Sequence, residues 1–165
     1  GELLGAYGNF VNRTLAFIEK YCDGVVPQGN NNIELDNQID RLYMAVGKLI
    51  ERGYFKDAMN EIFDFVRNAN KFFDAEQPWI TRNTNKNACD NTLYQCVQII
   101  ANLAVLLSPF LPFSSEKVLK WLNLSNQWKR QHVESGYLLP EVEILFHRID
   151  KKVIEEETEK LKAVL

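Results

Sequence analysis

An amide and a guanidinium stand four residues apart in the first segment of the chain, Asn9 and Arg13. On a helix that spacing stacks two side chains on one face. Together they offer donors and an acceptor of the kind that match nucleobase edges. Asn12, Ala16 and Lys20 fall close to the same line, and the apolar stripe of the segment lies roughly opposite. A second candidate is Trp79, which follows Pro78 at the end of the third helical pattern and opens a polar stretch. An indole placed there either covers the end of a bundle or serves as a stacking platform for an unpaired base, a contact worth about 1–3 kcal/mol. Arg82 and Lys86 follow closely and are candidates for phosphate neutralisation, as is Lys20. Taken alone, the Asn9 and Arg13 face also suits an ordinary solvated helix surface, and neither feature is specific.

Other chemistry is missing. The sequence holds no Gly-rich phosphate loop after a strand, no H-E-x-x-H and no G-x-S-x-G. Cys22, Cys89 and Cys96 lack the C-x-x-C spacing of zinc sites, and His132 and His147 are the only histidines. Three thiols make no disulfide framework, so they read as ordinary free cysteines in a reducing, cytoplasmic setting. His132 reads as a surface residue, and His147 as a packing or docking residue. The Glu155–Glu157 run reads as a solvated face. No catalytic residue and no metal site is expected within the chain.

The elements that must position these residues are helical. With 165 residues, 46% hydrophobic and 25% charged, the chain has the composition of one globular domain that buries its own core. A net charge of −3 and a pI near 5.5 argue against duplex DNA held by long-range charge. The longest apolar stretch, Cys96 to Leu107, is interrupted by Gln98 and Asn102 and is shorter than the roughly 20 residues of a membrane span. Leu4, Val11, Leu15, Ile18 and Cys22 give a helix from about residue 3 to 22, stopped by Asp23-Gly24. Ile39, Leu42, Val46, Leu49 and Ile50 give a second, from about 35 to 52. The third begins near Tyr54 and has the clearest amphipathic pattern: Phe55, Ala58, Met59, Ile62, Phe65, Val66, Ala69 and Phe73. It should stop before Pro78. Residues 80–87 read as a polar loop, with Asp90 capping a nearly all-round apolar helix to Leu107, the expected centre of the fold. Ser114 is expected to cap a short helix to Leu122, residues 123–148 to wrap the surface, and Asp150 to cap a last helix. No strand pattern survives. The implied fold is an all-α, near-antiparallel helical bundle. It divides into the bundle proper, 1–149, and a C-terminal helix, 150–165. The chain opens without Met, already in helical pattern, and ends in one. Both features fit a domain of a longer protein.

Four blocks carry a resemblance. Gly8-Asn9-Phe10-Val11-Asn12-Arg13-Thr14-Leu15-Ala16-Phe17-Ile18 resembles the first anticodon-domain helix of class I aminoacyl-tRNA synthetases. Asn70 to Trp79 is similar to the next landmark in its methionyl-tRNA synthetase form, and Leu107 to Lys117 to a third. Phe146-His147-Arg148-Ile149-Asp150 resembles a fourth. The blocks fall in family order and span nearly the whole chain. The first and third are shared loosely with the valine, leucine and isoleucine enzymes; the other two point to the methionine branch.

The resemblance implies a bundle that reads the CAU anticodon of methionine tRNA. Asn9 and Arg13 would contact anticodon bases, and Trp79 would stack on the first of them, helped by Pro78. The ATP-binding signatures of the family do not occur in this sequence. ATP and Mg2+, with Zn2+ where a zinc knuckle is present, would belong to a catalytic body elsewhere in the parent, and the C-terminal helix would fold back onto that body. The fragment alone would be inactive. The competing readings are a free-standing paralogue that binds tRNA or protein without charging, the anticodon domain of a related synthetase, and a purely structural bundle.

Overall fold

A computed structural model of the protein describes residues 2–141 and Leu161. Six helices occur among them: α1 (Glu2–Tyr21), α2 (Ile33–Glu51), α3 (Phe55–Glu76), α4 (Pro78–Thr84), α5 (Lys86–Leu106) and α6 (Pro112–Trp121). Among the described residues there is no strand, only an isolated bridge between Val25 and Leu138. The expected all-α bundle is therefore the observed architecture. Apart from Leu161, the C-terminal helix expected at 150–165 lies outside the described residues, as do the Phe146–Asp150 block with His147 and the Glu155–Glu157 run. Leu161 is half-buried against the core.

The direction of each helix follows from its partners. Asn9 and Arg13 of α1 meet Asn70 and Asp74 of α3 in the same order, so these two helices run parallel. The end of α1 and the start of α5 share a groove at Cys22, Cys89 and Asp90, so α5 runs against α1. The segment leading into α2 bonds the first turns of α5, Asn30 to Asn91 and Gln95, so α2 and α5 run together. Successive long helices thus alternate, as short connections demand.

Helix α5 is the axis of the fold. It touches each of the other five helices. Every residue from Thr92 to Leu106 is buried, which is why its apolar residues occupy all sides rather than a stripe. Around it the amphipathic helices bury one face each. All of Ala58, Met59, Ile62, Phe65, Val66, Ala69 and Phe73 of α3 are buried, whereas Phe55, at its first residue, is exposed. In α1 the buried face is Leu3, Tyr7, Phe10, Val11, Thr14, Leu15 and Ile18; Leu4 is only half-buried.

Three local expectations need correction. Residues 78–84 are a short helix, not a loop: Pro78 sits at its first position, where the fixed φ suits a helix and the missing N–H is not needed. Gln77, in the left-handed region at φ 49°, ends α3 and turns the chain sharply into α4. The cap of α5 is Asn85, whose side chain accepts from the Ala88 amide at 3.2 Å, so Asp90 lies inside the helix. Likewise Pro112 opens α6, leaving Ser114 buried within its first turn. The stop at Asp23-Gly24 stands: both take positive φ, and the Gly24 amide bonds back to the Ile18 carbonyl at 3.1 Å.

The polar residues that interrupt the apolar run of α5 hold the irregular segments down. Gln98 Nε2 donates to the Val133 carbonyl at 2.8 Å, and its Oε1 accepts from the Val133 amide at 2.9 Å. Asn102 Oδ1 accepts from the Tyr43 hydroxyl at 2.9 Å and the Gln131 amide at 2.6 Å. Its Nδ2 donates to the carbonyls of Gln98 and Gln131. Residues 123–141 thus cross the surface without regular structure, pinned to α5 at Gln131 and Val133. Burial pushes the Tyr43 hydroxyl well above the ordinary tyrosine range, so it stays a donor throughout the physiological window. Asn102→Ala leaves the Gln131 amide without its acceptor and the Tyr43 hydroxyl with only the backbone carbonyl of residue 102 at 3.5 Å. It is expected to cost about 2–4 kcal/mol of unfolding free energy in urea, with the helical circular dichroism retained at low denaturant.

Candidate nucleic-acid interface

The candidate site is built on one buried ring. Phe73 lies in the last turns of α3 and is 3% exposed. The Arg13 guanidinium carbon sits 4.2 Å from its centroid, a cation–π contact. Trp79 lies against the same ring at 6.2 Å with 32° between the planes, and Phe17 meets it edge-on at 6.4 Å. The sequence separates these residues by up to 66 positions; the parallel course of α1 and α3 and the sharp turn at Gln77 bring them together.

Trp79 is 43% exposed, so the indole does not plug the bundle end. One side leans on Phe73 and the rest faces water. Pro78 is buried; it fixes the start of α4 and hence the position of Trp79, rather than presenting a face of its own. Arg13 is less free than its helix position suggests. Its guanidinium forms an ion pair with Asp74, and its side chain keeps 25% of its surface exposed. Asn9 is exposed, but its amide nitrogen donates to Asn70 Oδ1 at 3.2 Å. Asn70 in turn donates to the Ala6 carbonyl at 3.1 Å. The amide and guanidinium are therefore held from α3, one turn apart, and not simply displayed from α1. Sequence reasoning missed these α3 partners, because nothing in the pattern says which polar face of α3 meets α1.

Of the cations expected near phosphate, Lys86 is paired with Asp90 at 3.0 Å, although its side chain remains 80% exposed. That hydrogen bond raises the affinity of the ammonium for its proton. Lys20 and Arg82 have no carboxylate partner among the described residues. Both instead lie over the ring of Tyr21, at 5.2 Å and 4.0 Å. Tyr21 continues the four-residue spacing of Asn9, Arg13 and Phe17, but the sequence pattern does not show the Arg82 that lies over its ring. No group of three His, Cys, Asp or Glu side chains able to hold a metal occurs among the described residues. No helix among them is long and apolar enough to cross a membrane.

In class, then, the molecule is an all-α bundle with an aromatic, cation-bearing strip at one tip, and solved structures give that bundle its setting. It superposes on the apo methionyl-tRNA synthetase of Mycobacterium tuberculosis with a TM-score of 0.75 and 25% identity, over 85% of this chain and 31% of that one. For the methionyl-adenylate-bound form of that enzyme the TM-score is 0.76. The family model described as the anticodon binding domain of methionyl tRNA ligase matches residues 24–164, and the chain belongs to that family. It is 55% identical over 161 residues to a methionine–tRNA ligase of Bacillus cereus and 48% identical over 162 residues to one of Alkaliphilus oremlandii. These alignments take in 97% and 98% of this chain but only 29% and 30% of the relatives, so the chain spans under a third of their length.

Cys22 and Cys89 line the groove beside Tyr21 and Arg82. Burial first, then the nearby Asp90 carboxylate, pushes the Cys22 thiol from 9.0 up to about 11. The thiolate is the reactive form. At pH 8 alkylation of Cys22 is therefore expected to run about 10- to 100-fold slower than that of an unstructured thiol, the smaller thiolate fraction being partly offset by its greater nucleophilicity. Mass-spectrometric iodoacetamide kinetics across pH 7–10 check this; an ordinary rate at pH 8 would contradict the burial that shapes the groove.

Proposed function

We propose that this domain reads the CAU anticodon of methionine tRNA within a methionine–tRNA ligase. The observation that carries the reading is the meeting of an exposed indole and a guanidinium against the single ring of Phe73. Sequence-specific RNA reading needs aromatic faces for splayed bases and edge-matching groups close by. Trp79 supplies the face, for the first anticodon base. Arg13 has five N–H donors and uses part of them on Asp74; the rest, with Asn9, supply edge contacts. The Asp74 pair holds the guanidinium against Phe73 before RNA arrives, which lowers the ordering cost of binding. Pro78 acts through Trp79. Lys20 and Arg82, unpaired by carboxylates, take phosphates, and Lys86 can join them because an exposed pair is worth little. Membership of the anticodon-binding family supports this use of the tip.

In this proposal the ligase reaction, activation of methionine by ATP with Mg2+ and transfer to tRNA, belongs to the catalytic domain of the same protein. This chain contributes recognition and no reacting group. A role on duplex DNA is disfavoured by the net charge of −3.

The test is binding of this chain, at low salt, to an anticodon stem-loop with CAU and to one with the first base changed. Trp79→Ala and Arg13→Ala are each expected to reduce discrimination between the two by about 10- to 100-fold. In the full-length ligase the same substitutions should flatten the ratio of kcat/KM for the two tRNAs. Variants that discriminate as the wild type does would overturn the assignment.

A further inference from the structure

The strip at the tip does not end at Trp79. Along α1 the residues facing it recur every four positions, Asn9, Arg13, Phe17 and Tyr21, and cover about 18 Å at 1.5 Å per residue. The rings are continuous: Trp79 leans on Phe73, Phe73 meets Phe17, and Phe17 packs on Tyr21 with centroids 4.7 Å apart. At the far end Tyr21 is 41% exposed, so the core makes little use of it. The Arg82 guanidinium lies 4.0 Å from its centroid and the Lys20 ammonium 5.2 Å. Beside this pair opens a groove of about 520 Å3, walled by Phe17, Tyr21, Cys22, Arg82 and Lys86 with the Val25–Gln28 loop. Two carboxylates line it: Asp90, which is paired with Lys86, and Asp23, which forms no ion pair among the described residues. Arg82 and Lys20 have no carboxylate partner among the described residues, so the positive charge gathers on the Tyr21 ring at the edge of the groove.

We propose that Tyr21 and Arg82 form a second stacking platform, which takes another unpaired nucleotide of the same RNA loop that Trp79 grips. The proposal rests on the reading of the Trp79 tip as an RNA-binding surface and adds a subsite to it. The chemistry is that of a nucleotide rather than a peptide. A flat ring capped by a planar guanidinium stacks any base, and arginine and lysine at its rim neutralise the adjoining phosphate. A single strand with its bases splayed out, each step longer than the roughly 3.4 Å of a stacked strand, bridges the distance from Arg13 to Tyr21 within a few nucleotides. Arg82 therefore does more than contact phosphate: its plane is part of the platform.

The experiment measures the affinity of this chain for a CAU anticodon stem-loop as the wild type, Tyr21→Leu, Tyr21→Phe, Arg82→Gln and Trp79→Leu. Each protein is also tested against stem-loops that lack one loop base at a time. Tyr21→Leu is expected to weaken binding about 5- to 100-fold and Tyr21→Phe to restore it. Arg82→Gln should lower the slope of log affinity against log salt by about 1. Removing one particular loop base, different from the one whose loss is silent in Trp79→Leu, should cost nothing further in Tyr21→Leu. If Trp79→Leu is impaired while Tyr21→Leu binds like the wild type, the second platform is wrong and the Trp79 reading stands. If Tyr21→Leu weakens every loop by the same factor, Tyr21 acts through the fold and the platform is again wrong. If neither variant is impaired, the Trp79 reading itself falls. Thermal unfolding of each variant verifies the fold; an exposed tyrosine contributes little to it.

Discussion

Phe73 is the point at which the hydrophobic core becomes a surface able to recognise something. Its ring is buried, so it belongs to the same packed interior as Phe10, Ile62 and Ile100. Yet a guanidinium, an indole and a second phenyl ring all rest on it. Neither Arg13 nor Trp79 could hold a fixed position alone. A long side chain on an exposed helix face samples many rotamers, and ordering it costs up to about 2 kcal/mol. Against a ring that cannot move, both are confined before any ligand arrives. The Asp74 pair adds a second restraint on Arg13 from the same helix turn. The pair is partly exposed and contributes little stability. Its use is orientation.

The rest of the bundle exists, in this light, to keep α1 and α3 parallel and in register. Helix α5 does so by burying every side it has, which leaves no freedom for its neighbours to slide. Gln98 and Asn102 then fasten the surface segment without a single regular element. Sharp turns at Gly24 and Gln77 decide where α1 stops and where Trp79 is delivered. Gly29 shows how tight the packing is. A Cβ there would stand 2.2 Å from the Tyr94 ring, so the loop into α2 passes directly over α5.

Much of this was legible in the sequence because it depends on periodicity. The 3.6-residue pattern of α3 and the all-round apolarity of α5 gave the outer and the central helix directly. What failed was punctuation. Pro78 marks the end of one helix in the sequence pattern, and its preference for a first helical position, which opens the next, is the signal that the pattern hides. Asp90 and Asn85 are both good caps, and their competition is settled by where α4 ends, which local pattern does not show. The candidate site is legible in part. Asn9, Arg13 and Trp79 have residue types suited to base contacts, and the resemblance carried by their blocks implies that use. Their α3 partners, Asn70 and Asp74, depend on which faces meet in space. Tyr21 was invisible for the same reason: its value comes from Arg82, which lies 61 residues away in sequence. Gln98 and Asn102 did give a signal, as amides inside an apolar run, and a buried amide of that kind announces a backbone partner.

The most direct test is to watch the indoles while RNA binds. The chain has three tryptophans, and their side-chain N–H groups give separate resonances in a nitrogen-15 correlation spectrum. Trp121 is buried and Trp128 donates to the Tyr43 carbonyl at 3.1 Å on another part of the surface. On titration with a CAU stem-loop, the Trp79 resonance should shift while those of Trp121 and Trp128 stay in place, and a loop with a changed first anticodon base should leave all three unmoved at the same concentration. Saturable binding of the CAU loop with Trp79 undisturbed would contradict the account, because the RNA would then be seated somewhere other than on the Phe73 ring system.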